Sequence, residues 1–335
     1  MKESVMRRML RTFPIFFLPI CFLFSCQASA DDVVRSRAAI VIDASTGRVL
    51  YGVNPTLRLP PASTTKLMTA LVTLDHLSPS ETTVISENVP AVSPAKAIFK
   101  EGERVTVQTL LTAALIKSAN DAAFALAETV GGTESRFVEM MNEKAVALGL
   151  ADTRFVNATG LPGDGQYITA SDLANLLRQA LGNPMIRDIV NTKVGSIHTE
   201  SKGDMVLSNT NKLLWIDDSV VGGKTGYTRE ARNCLVFASR RGDEAVIVSL
   251  LGADTRLHLW GEAEKMSAKG FSILAGEEKP HVYSTRSAYG PYVEQVAYKK
   301  RVKHTGGNAH KPRKKHWSKT RGSSPKTNTI EASSL

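Results

Sequence analysis

Hydrophobic and polar residues alternate with a strand-like period at both ends of the central part of the chain and with a helical period in its middle. Near the start, "RAAIVIDASTGRVLYGVN" holds two β-rich runs around a turn with Ser45, Thr46 and Gly47, which predicts a hairpin. The last third has the short β-rich runs "GDMVLSN", "GGKTGYT", "NCLVFASRR" and "EAVIVSLLG", followed by a helical pattern in "EAEKMSAKGFSIL". Strands that enclose a helical middle predict one α+β unit rather than a βαβ repeat.

The middle of the chain carries the helical patterns. After Pro60 and Pro61 stop the extended chain, apolar residues from Ala62 onward fall at helical spacing as far as "SPS" at 78–80. A longer stretch, "VTVQTLLTAALIKSANDAAFALAETV", is predicted to be interrupted at "KSAN", although neither glycine nor proline stands there. Further helices are predicted at "ESRFVEMMNEKAVALG" and "TASDLANLLRQAL". We therefore expect a mostly helical subdomain beside an antiparallel sheet flanked by helices.

Residues 1–30 have the pattern of a secretory signal peptide. Four basic residues precede the short apolar run "FPIFFLPICFLF", and Ala28, Ser29 and Ala30 offer an A-x-A cleavage site. The run is short for a bilayer span and contains two prolines, which disfavours a permanent membrane helix. Lipid attachment at Cys26 in "LFSC" is an alternative. The sequence predicts an exported protein.

Positive charge is concentrated at the two ends of the chain. The net charge of +10 divides into +3 for residues 1–30 (4 basic, 1 acidic), −2 for residues 31–275 (25 basic, 27 acidic) and +9 for residues 276–335 (13 basic, 4 acidic). The last segment, which is poor in apolar residues from about Tyr298, is predicted to be a basic, largely disordered tail. Anionic lipid or wall polymer fits it as a partner, and nucleic acid is not expected for an exported chain. Cys234 alone follows the signal segment, so no intramolecular disulfide is expected.

Ser63 and Lys66 are the first candidates for chemistry, because they stand three residues apart in "PPASTTKLMTALV". At that spacing their side chains meet on one helix face. A serine hydroxyl becomes a nucleophile when a base removes its proton. A lysine can be that base if burial and a nearby cation lower its pKa from about 10.4 toward 7–8. The helix start also favours developing negative charge. The sequence thus predicts a hydroxyl, a base and part of an oxyanion site within one turn.

The serine–lysine pattern alone is weak. It recurs at Ser93–Lys96 and Ser323–Lys326, and its ordinary explanation is a capping serine beside a solvated lysine. S-x-N occurs at Ser86–Asn88 as well as at Ser118–Asn120, whereas "KTG" occurs once, at 224–226. The conjunction of "STTK", "SAN" and "KTG", in that order and in the expected structural contexts, makes the signal specific.

With these motifs the sequence resembles the D-alanyl-D-alanine carboxypeptidases, which are low-molecular-mass penicillin-binding proteins with the serine β-lactamase/DD-peptidase fold. The likeness covers roughly residues 34 to 275 and includes "IVIDASTGRVLYGVN", "LIKSANDAA", "FVNATGLPG", "TASDLA", "NTNKLL" and the closing "EAEKMSAKGF". It implies an α+β catalytic domain at 31–275 that acts on D-Ala-D-Ala pentapeptides of peptidoglycan and binds β-lactams. It also implies a location in the periplasm or on the outer face of the bacterial cytoplasmic membrane.

The resemblance implies catalytic roles for residues of the first two motifs. Ser63 would attack the carbonyl between the two terminal D-alanines and form an acyl-enzyme that water hydrolyses. Lys66 would be the general base, and Ser118 would relay protons to the leaving amine. Asn120 would hold the substrate amide. Neither a metal nor a cofactor is implied.

The third motif is implied to bind the substrate. Lys224 would supply positive potential for the substrate carboxylate and lower the pKa of Lys66, and Thr225 would donate to that carboxylate. Gly226 would let the strand approach the substrate closely. The backbone N–H groups of Tyr227 and Ser63 would form the oxyanion hole.

The chain departs from the family at the arginine that many relatives use for the terminal carboxylate. Eleven residues before Gly270 of the closing "GF" stands Leu259, and Arg256 lies one turn earlier. Either Arg256 binds the carboxylate or this contact is absent. Arg232, where the family often has glycine, is a further candidate for the same contact.

Three functions remain in view from the sequence. The first is a carboxypeptidase that trims stem peptides, and the second is a DD-endopeptidase that uses the same residues to cut cross-links. The third is a non-catalytic wall-binding homologue that acts through its tail. A β-lactamase is the weaker interpretation, because "SAN" replaces the usual "SDN" and no Glu-x-x-x-Asn loop is evident.

Overall fold

The fold is built on a six-stranded sheet in the residues that a computed structural model describes, 34–92 and 98–284. The predicted signal peptide and most of the predicted tail lie outside these residues, as do both further serine–lysine patterns. In chain order the strands are Ala38–Asp43 (β1), Val49–Val53 (β2), Thr82–Val84 (β3), Arg104–Thr106 (β4), Val194–Thr199 (β5), Gly203–Ser208 (β6), Val220–Thr228 (β7), Arg232–Arg241 (β8), Glu244–Ala253 (β9) and His281–Tyr283 (β10).

The main sheet has the strand order β10-β2-β1-β9-β8-β7, and all its pairs are antiparallel except β10 with β2. The predicted hairpin is confirmed as β1 and β2. Strand β10 had not been predicted, and it adds residues of the segment assigned to the tail to the edge of the sheet. Two short antiparallel pairs, β3 with β4 and β5 with β6, stand apart from the main sheet. At the other edge, β7 pairs only with β8 among the described strands.

The helices fall mainly between β2 and β7, as the helical patterns predict. They are Lys66–His76 (α1), Asn88–Ala91 (α2), Val107–Thr112 (α3), Asn120–Gly131 (α4), Glu134–Ala147 (α5), Ala170–Ala180 (α6), Pro184–Asn191 (α7), Leu213–Ile216 (α8) and Arg256–Leu274 (α9). The α+β class, with an antiparallel sheet flanked by helices and a largely helical subdomain, is confirmed. No described helix is long and apolar enough to cross a bilayer.

The sheet separates two hydrophobic cores. Because successive strand residues point to opposite faces, the apolar run of β1 buries both of its sides. Ala38, Ile40 and Ile42 join the core that includes α1, α4 and α6, whereas Ala39 and Val41 join the core under α9. The larger core holds the helices that carry the first two motifs, so it fixes their positions relative to the sheet.

Cys234 lies in β8 with its thiol inside the larger core. It is fully buried, and desolvation raises its pKa to about 12. Because the thiolate is the reactive form, this burial makes the thiol chemically inert at neutral pH.

Candidate active site

The turn that carries Ser63 leads directly into a helix. Residues Ala62–Thr65 form a single 3-10 turn, and α1 begins at Lys66, so the hydroxyl and the amine stand on consecutive turns of one helical segment. The Lys66 Nζ atom lies 3.1 Å from Ser63 Oγ. The predicted proximity of hydroxyl and amine is therefore present in the structure.

Lys66 is fully buried and held by oxygen atoms from three parts of the chain. Besides Ser63 Oγ, its Nζ donates to Asn120 Oδ1 at 2.8 Å and to the Thr159 carbonyl at 2.6 Å. Burial, and then the positive charge of Lys224, lower its pKa well below the ordinary value, while Asp121 acts in the opposite direction. A buried amine with a lowered pKa beside a hydroxyl can act as a general base.

A break between two helices forms the second wall of the cleft. A π-helical turn, Ala113–Lys117, follows α3 and ends at Ser118, whose φ of 64° and ψ of 32° are left-handed, and α4 begins at Asn120. A non-glycine residue costs about 1–3 kcal/mol in such a conformation. The interruption predicted at "KSAN" is therefore confirmed, and it brings the Asn120 side chain to Lys66.

Strand β7 forms the third wall. The Nζ atom of Lys224, whose side chain is almost fully buried, donates to Ser118 Oγ at 2.8 Å and to the Thr225 carbonyl at 3.0 Å. Desolvation lowers the pKa of Lys224 to about 7. The Thr225 hydroxyl donates to the Thr210 hydroxyl at 2.6 Å. "STTK", "SAN" and "KTG" thus meet around one cleft.

Gly226 allows β7 to approach the nucleophile turn. A Cβ atom added at this position would lie 3.0 Å from the Ser63 backbone nitrogen and 3.1 Å from the Pro61 carbonyl oxygen. Any side chain would therefore push the strand away. The two predicted oxyanion donors, the N–H groups of Ser63 and Tyr227, belong to these adjoining backbone segments.

Arg256 is the one predicted site residue that stands far from the three motifs in the sequence. It is the exposed first residue of α9, and among the described residues no hydrogen bond or ion pair joins it to the other predicted site residues. Leu259, at the position of the family arginine, is buried in the core under α9. Arg232 is exposed, has a φ of 58° and pairs with Thr228 at the end of β7. The carboxylate role of Arg256 stays a prediction.

Two parts of the site were not assigned from sequence, namely Thr210 beside Thr225 and the Thr159 carbonyl on Lys66. The turn that presents this carbonyl is organised by Asn157, whose Oδ1 accepts from the backbone N–H groups of Thr159 at 3.2 Å and Gly160 at 2.7 Å. The stretches "FVNATGLPG" and "NTNKLL" gave a signal, because both resemble the family. Neither stretch contains one of the three short motifs that marked the other site residues.

The arrangement supplies the components of acyl transfer at a serine, which are a hydroxyl, a buried amine within reach of it, a second buried amine and adjoining backbone N–H groups. A sequence model described as D-alanyl-D-alanine carboxypeptidase matches residues 25–255. The chain belongs to the D-alanyl-D-alanine carboxypeptidase family. It is a serine-type carboxypeptidase.

Curated relatives and solved structures agree with this assignment. The D-alanyl-D-alanine carboxypeptidase DacF of Bacillus subtilis is 34% identical over 278 residues, which are 80% of this chain and 72% of the relative. A D-alanyl-D-alanine endopeptidase of Pseudomonas aeruginosa is 34% identical over 252 residues, 70% of this chain and 80% of that relative. The crystal structure of the Streptomyces K15 DD-transpeptidase superposes with a TM-score of 0.68 at 32% identity, covering 72% of this chain and 98% of that one.

Proposed function

We propose that this carboxypeptidase removes the terminal D-alanine from peptidoglycan stem peptides through an acyl-enzyme on Ser63. Ser63 Oγ attacks the carbonyl carbon between the two D-alanines while its proton passes to the neutral Lys66 amine. A proton then reaches the leaving amine through Ser118, the C–N bond breaks and D-alanine departs. Water hydrolyses the remaining ester. The observation that carries this proposal is the fully buried Lys66 amine, of lowered pKa, 3.1 Å from the hydroxyl.

The substrate's terminal carboxylate is assigned to the Lys224 and Thr225 side of the cleft. Lys224 carries a positive charge there once an anion approaches, because an opposite charge raises a lysine pKa. The side chain of Asn120 accepts a hydrogen bond from Lys66 and so lies in the same cleft. There it is suited to hold the substrate amide. A β-lactam presents a carboxylate and a strained amide to the same groups, so the enzyme is penicillin-sensitive.

The serine assignment is tested by labelling the purified protein with a fluorescent penicillin. We expect one label per protein molecule, lost in Ser63→Ala with no change in folding. Ser45→Ala, at an exposed turn serine, is the matched control and keeps the label. Release of D-alanine from an acyl-D-Ala-D-Ala peptide is measured on the same samples. A folded wild-type protein without label would contradict the proposal.

A second candidate, DD-endopeptidase activity on cross-links, is favoured by the similarity to the Pseudomonas aeruginosa endopeptidase. The same nucleophile and base serve both reactions, and only the leaving group differs. Digestion of purified cross-linked and uncross-linked muropeptides separates the two. Release of free D-alanine alone supports the carboxypeptidase, and conversion of dimers to monomers supports the endopeptidase.

Export and a surface-bound location belong to the same proposal. The signal-like pattern of residues 1–30 directs the chain to the periplasm or the outer face of the cytoplasmic membrane, where its substrate is found. The basic tail adds attraction to anionic lipid or wall polymer. Cosedimentation with vesicles containing anionic lipid should fall when residues 298–335 are removed, and equal binding by both forms would contradict the role of the tail.

A further inference from the structure

Asp121 is a buried carboxylate directly beside the "SAN" motif. It follows Asn120 in the first turn of α4 and is 1% exposed. Its Oδ2 atom accepts hydrogen bonds from the backbone N–H groups of Ile98 and Phe99, the latter at 3.1 Å. The carboxylate therefore joins the chain at 98–99 to the helix turn whose first residue contacts Lys66.

The second oxygen of this carboxylate takes no part in that tie. In the part of the chain that the structure describes, Oδ1 of Asp121 is the one buried carboxylate oxygen that has no hydrogen-bond partner. Two other buried acids, Glu103 and Glu262, have partners for both oxygens. Burying a charged oxygen without a partner costs stability. A tie to two N–H groups needs only an acceptor, which a neutral asparagine also offers, so the negative charge itself calls for an explanation.

The cleft supplies the cations on which this charge acts. Lys66 and Lys224 are buried amines, and Lys66 Nζ lies 2.8 Å from the side chain of Asn120, the neighbour of Asp121 in the chain. Burial, and then the charge of Lys224, lower the pKa of Lys66, whereas Asp121 raises it. The general base is therefore subject to one charge of each sign.

The other charged side chains on the helices packed against α1 are exposed or have partners of their own. The buried or half-buried acids are Glu128 on α4, Glu134 on α5 and Asp172 on α6, which accept from Asn88 Nδ2 at 3.1 Å, the Ala158 N–H at 3.0 Å and the Asp152 N–H at 2.9 Å. Among the basic residues, Lys144 pairs with Asp75, Arg178 donates to the Ala44 carbonyl, and Lys117 and Arg136 are exposed. Asp121 is thus the acid whose charge is directed at the base.

We propose that Asp121 is a positioning residue for acylation, which holds the first turn of α4 to the chain at 98–99 and is the counter-charge for the proton that Lys66 takes from Ser63. The proposal rests on the function proposed above. As the bond from Ser63 Oγ to the carbonyl carbon forms, the hydroxyl proton passes to Lys66 and makes a buried ammonium. A carboxylate close to a buried cation stabilises it. Asp121 therefore acts through Lys66 and takes up no proton itself.

Asp121→Asn tests the charge separately from the tie, because the amide oxygen can still accept from the two N–H groups. The measured quantity is the second-order rate of acylation by a fluorescent penicillin as a function of pH. Lys66 loses its negative neighbour, so its pKa falls and the acid limb should move to lower pH, by about one unit. The weaker base should also lower the plateau rate by about three- to tenfold.

Asp172→Asn is the matched control, because Asp172 is also a buried acid in the first turn of a helix packed against α1. Its Oδ2 accepts from the Asp152 N–H and, at 2.8 Å, from the Thr153 hydroxyl. This variant should keep the wild-type acid limb. Asp121→Ser removes the same charge and takes the place of Asp121→Asn if the asparagine protein does not fold.

The position of the acid limb separates the counter-charge from a merely structural role. A lower plateau with an unmoved limb, a limb at higher pH, or the same shift in Asp172→Asn overturns the assignment of Asp121. A folded wild-type protein that penicillin does not acylate overturns the proposed function itself.

Discussion

At the scale of single residues, two buried lysines occupy one cleft and differ in their contacts. Lys66 reaches the nucleophile, whereas Lys224 reaches Ser118 on the opposite wall. Burial lowers the pKa of both, and the charge of Lys224 lowers that of Lys66 further. The pKa of the base therefore depends on Lys224, although the hydrogen bonds of Lys66 in the described part of the chain go to other residues.

Removing the charge of Lys224 should move the pH profile of acylation. Lys66 loses a positive neighbour in Lys224→Gln, so its pKa rises and less of the neutral amine is present at low pH. The acid limb of the second-order rate of penicillin acylation is then expected at higher pH than in the wild type. Lys212→Gln, at an exposed lysine, is the control. An acid limb that stays in place or moves to lower pH would contradict this coupling.

Thr210 should act as a positioning residue for Thr225. The two hydroxyls are 2.6 Å apart, and Thr210 N–H also donates to the Ile116 carbonyl at 3.2 Å. Thr210→Val keeps the shape and removes the hydroxyl, so kcat/KM for a D-Ala-D-Ala peptide should fall about tenfold, the value of roughly one hydrogen bond. Thr210→Ser should restore most of it. Equal losses in both variants would indicate a packing role instead.

The sequence was sufficient to predict the residues of the three motifs, because each motif is local and their order is specific. These residues are Ser63, Lys66 and those of "SAN" and "KTG". Thr210 and the Thr159 carbonyl could not be assigned, since their roles depend on contacts between residues far apart in the chain. Every residue has a backbone carbonyl, so the residue type does not show which carbonyl contacts Lys66. Asn157, whose side chain organises the turn at Thr159, was visible only as part of a family-like stretch.

At the scale of elements, the close approach of β7 to the nucleophile turn depends on Gly226. Gly226→Ala places a Cβ 3.0 Å from Ser63 N, so the strand and the turn must separate by some tenths of an ångström. We expect penicillin acylation to slow by about 10²-fold, as when one oxyanion donor is lost. The thermal midpoint should change little. Gly261→Ala, where an added Cβ meets nothing within 4 Å, is the control.

Elements that sequence patterns missed are short or weakly patterned. Strand β5 is exposed at half of its positions and pairs only with β6 among the described strands. Its sequence therefore has few apolar residues and no clear strand pattern. Strand β10 has three residues and is stabilised by pairing with β2 and by ring contacts with Tyr51. Helix α7 was not predicted either, although Asn183 at its cap and Pro184 at its first position are sequence signals of a helix start. The break at Ser118 was predictable only through its motif.

At the scale of the whole molecule, the buried amines make folding depend on pH. Lys224 has a pKa of about 7 in the folded protein and about 10.4 when unfolded. Between these values the unfolded chain binds more protons, so the free energy of unfolding rises with pH across this window. Burying the protonated Lys224 amine therefore lowers the free energy of unfolding at pH values below about 7. This cost disappears above the unfolded pKa, where the amine is neutral in both states. One such group contributes a slope of up to about 1.4 kcal/mol per pH unit.

Urea unfolding of the full chain at pH 7.5, 8.5 and 9.5, read against Lys224→Met, measures this slope. In the variant, the free energy of unfolding should rise less steeply with pH, by about the contribution of one titrating group. The variant should also be more stable than the wild type at the lowest of these pH values. Lys212→Met is the exposed control and should keep the wild-type slope. A variant with an unchanged slope would show that Lys224 is charged in the folded protein throughout this range.

The inert thiol of Cys234 has a practical consequence for following the enzyme. A chain that begins after residue 30 carries no other cysteine, so a maleimide dye added at neutral pH leaves the native protein unlabelled. A cysteine introduced on the exposed rim of the cleft would then be the sole site of attachment. A fluorophore placed there could report substrate arrival and product departure in real time, without any background from the interior.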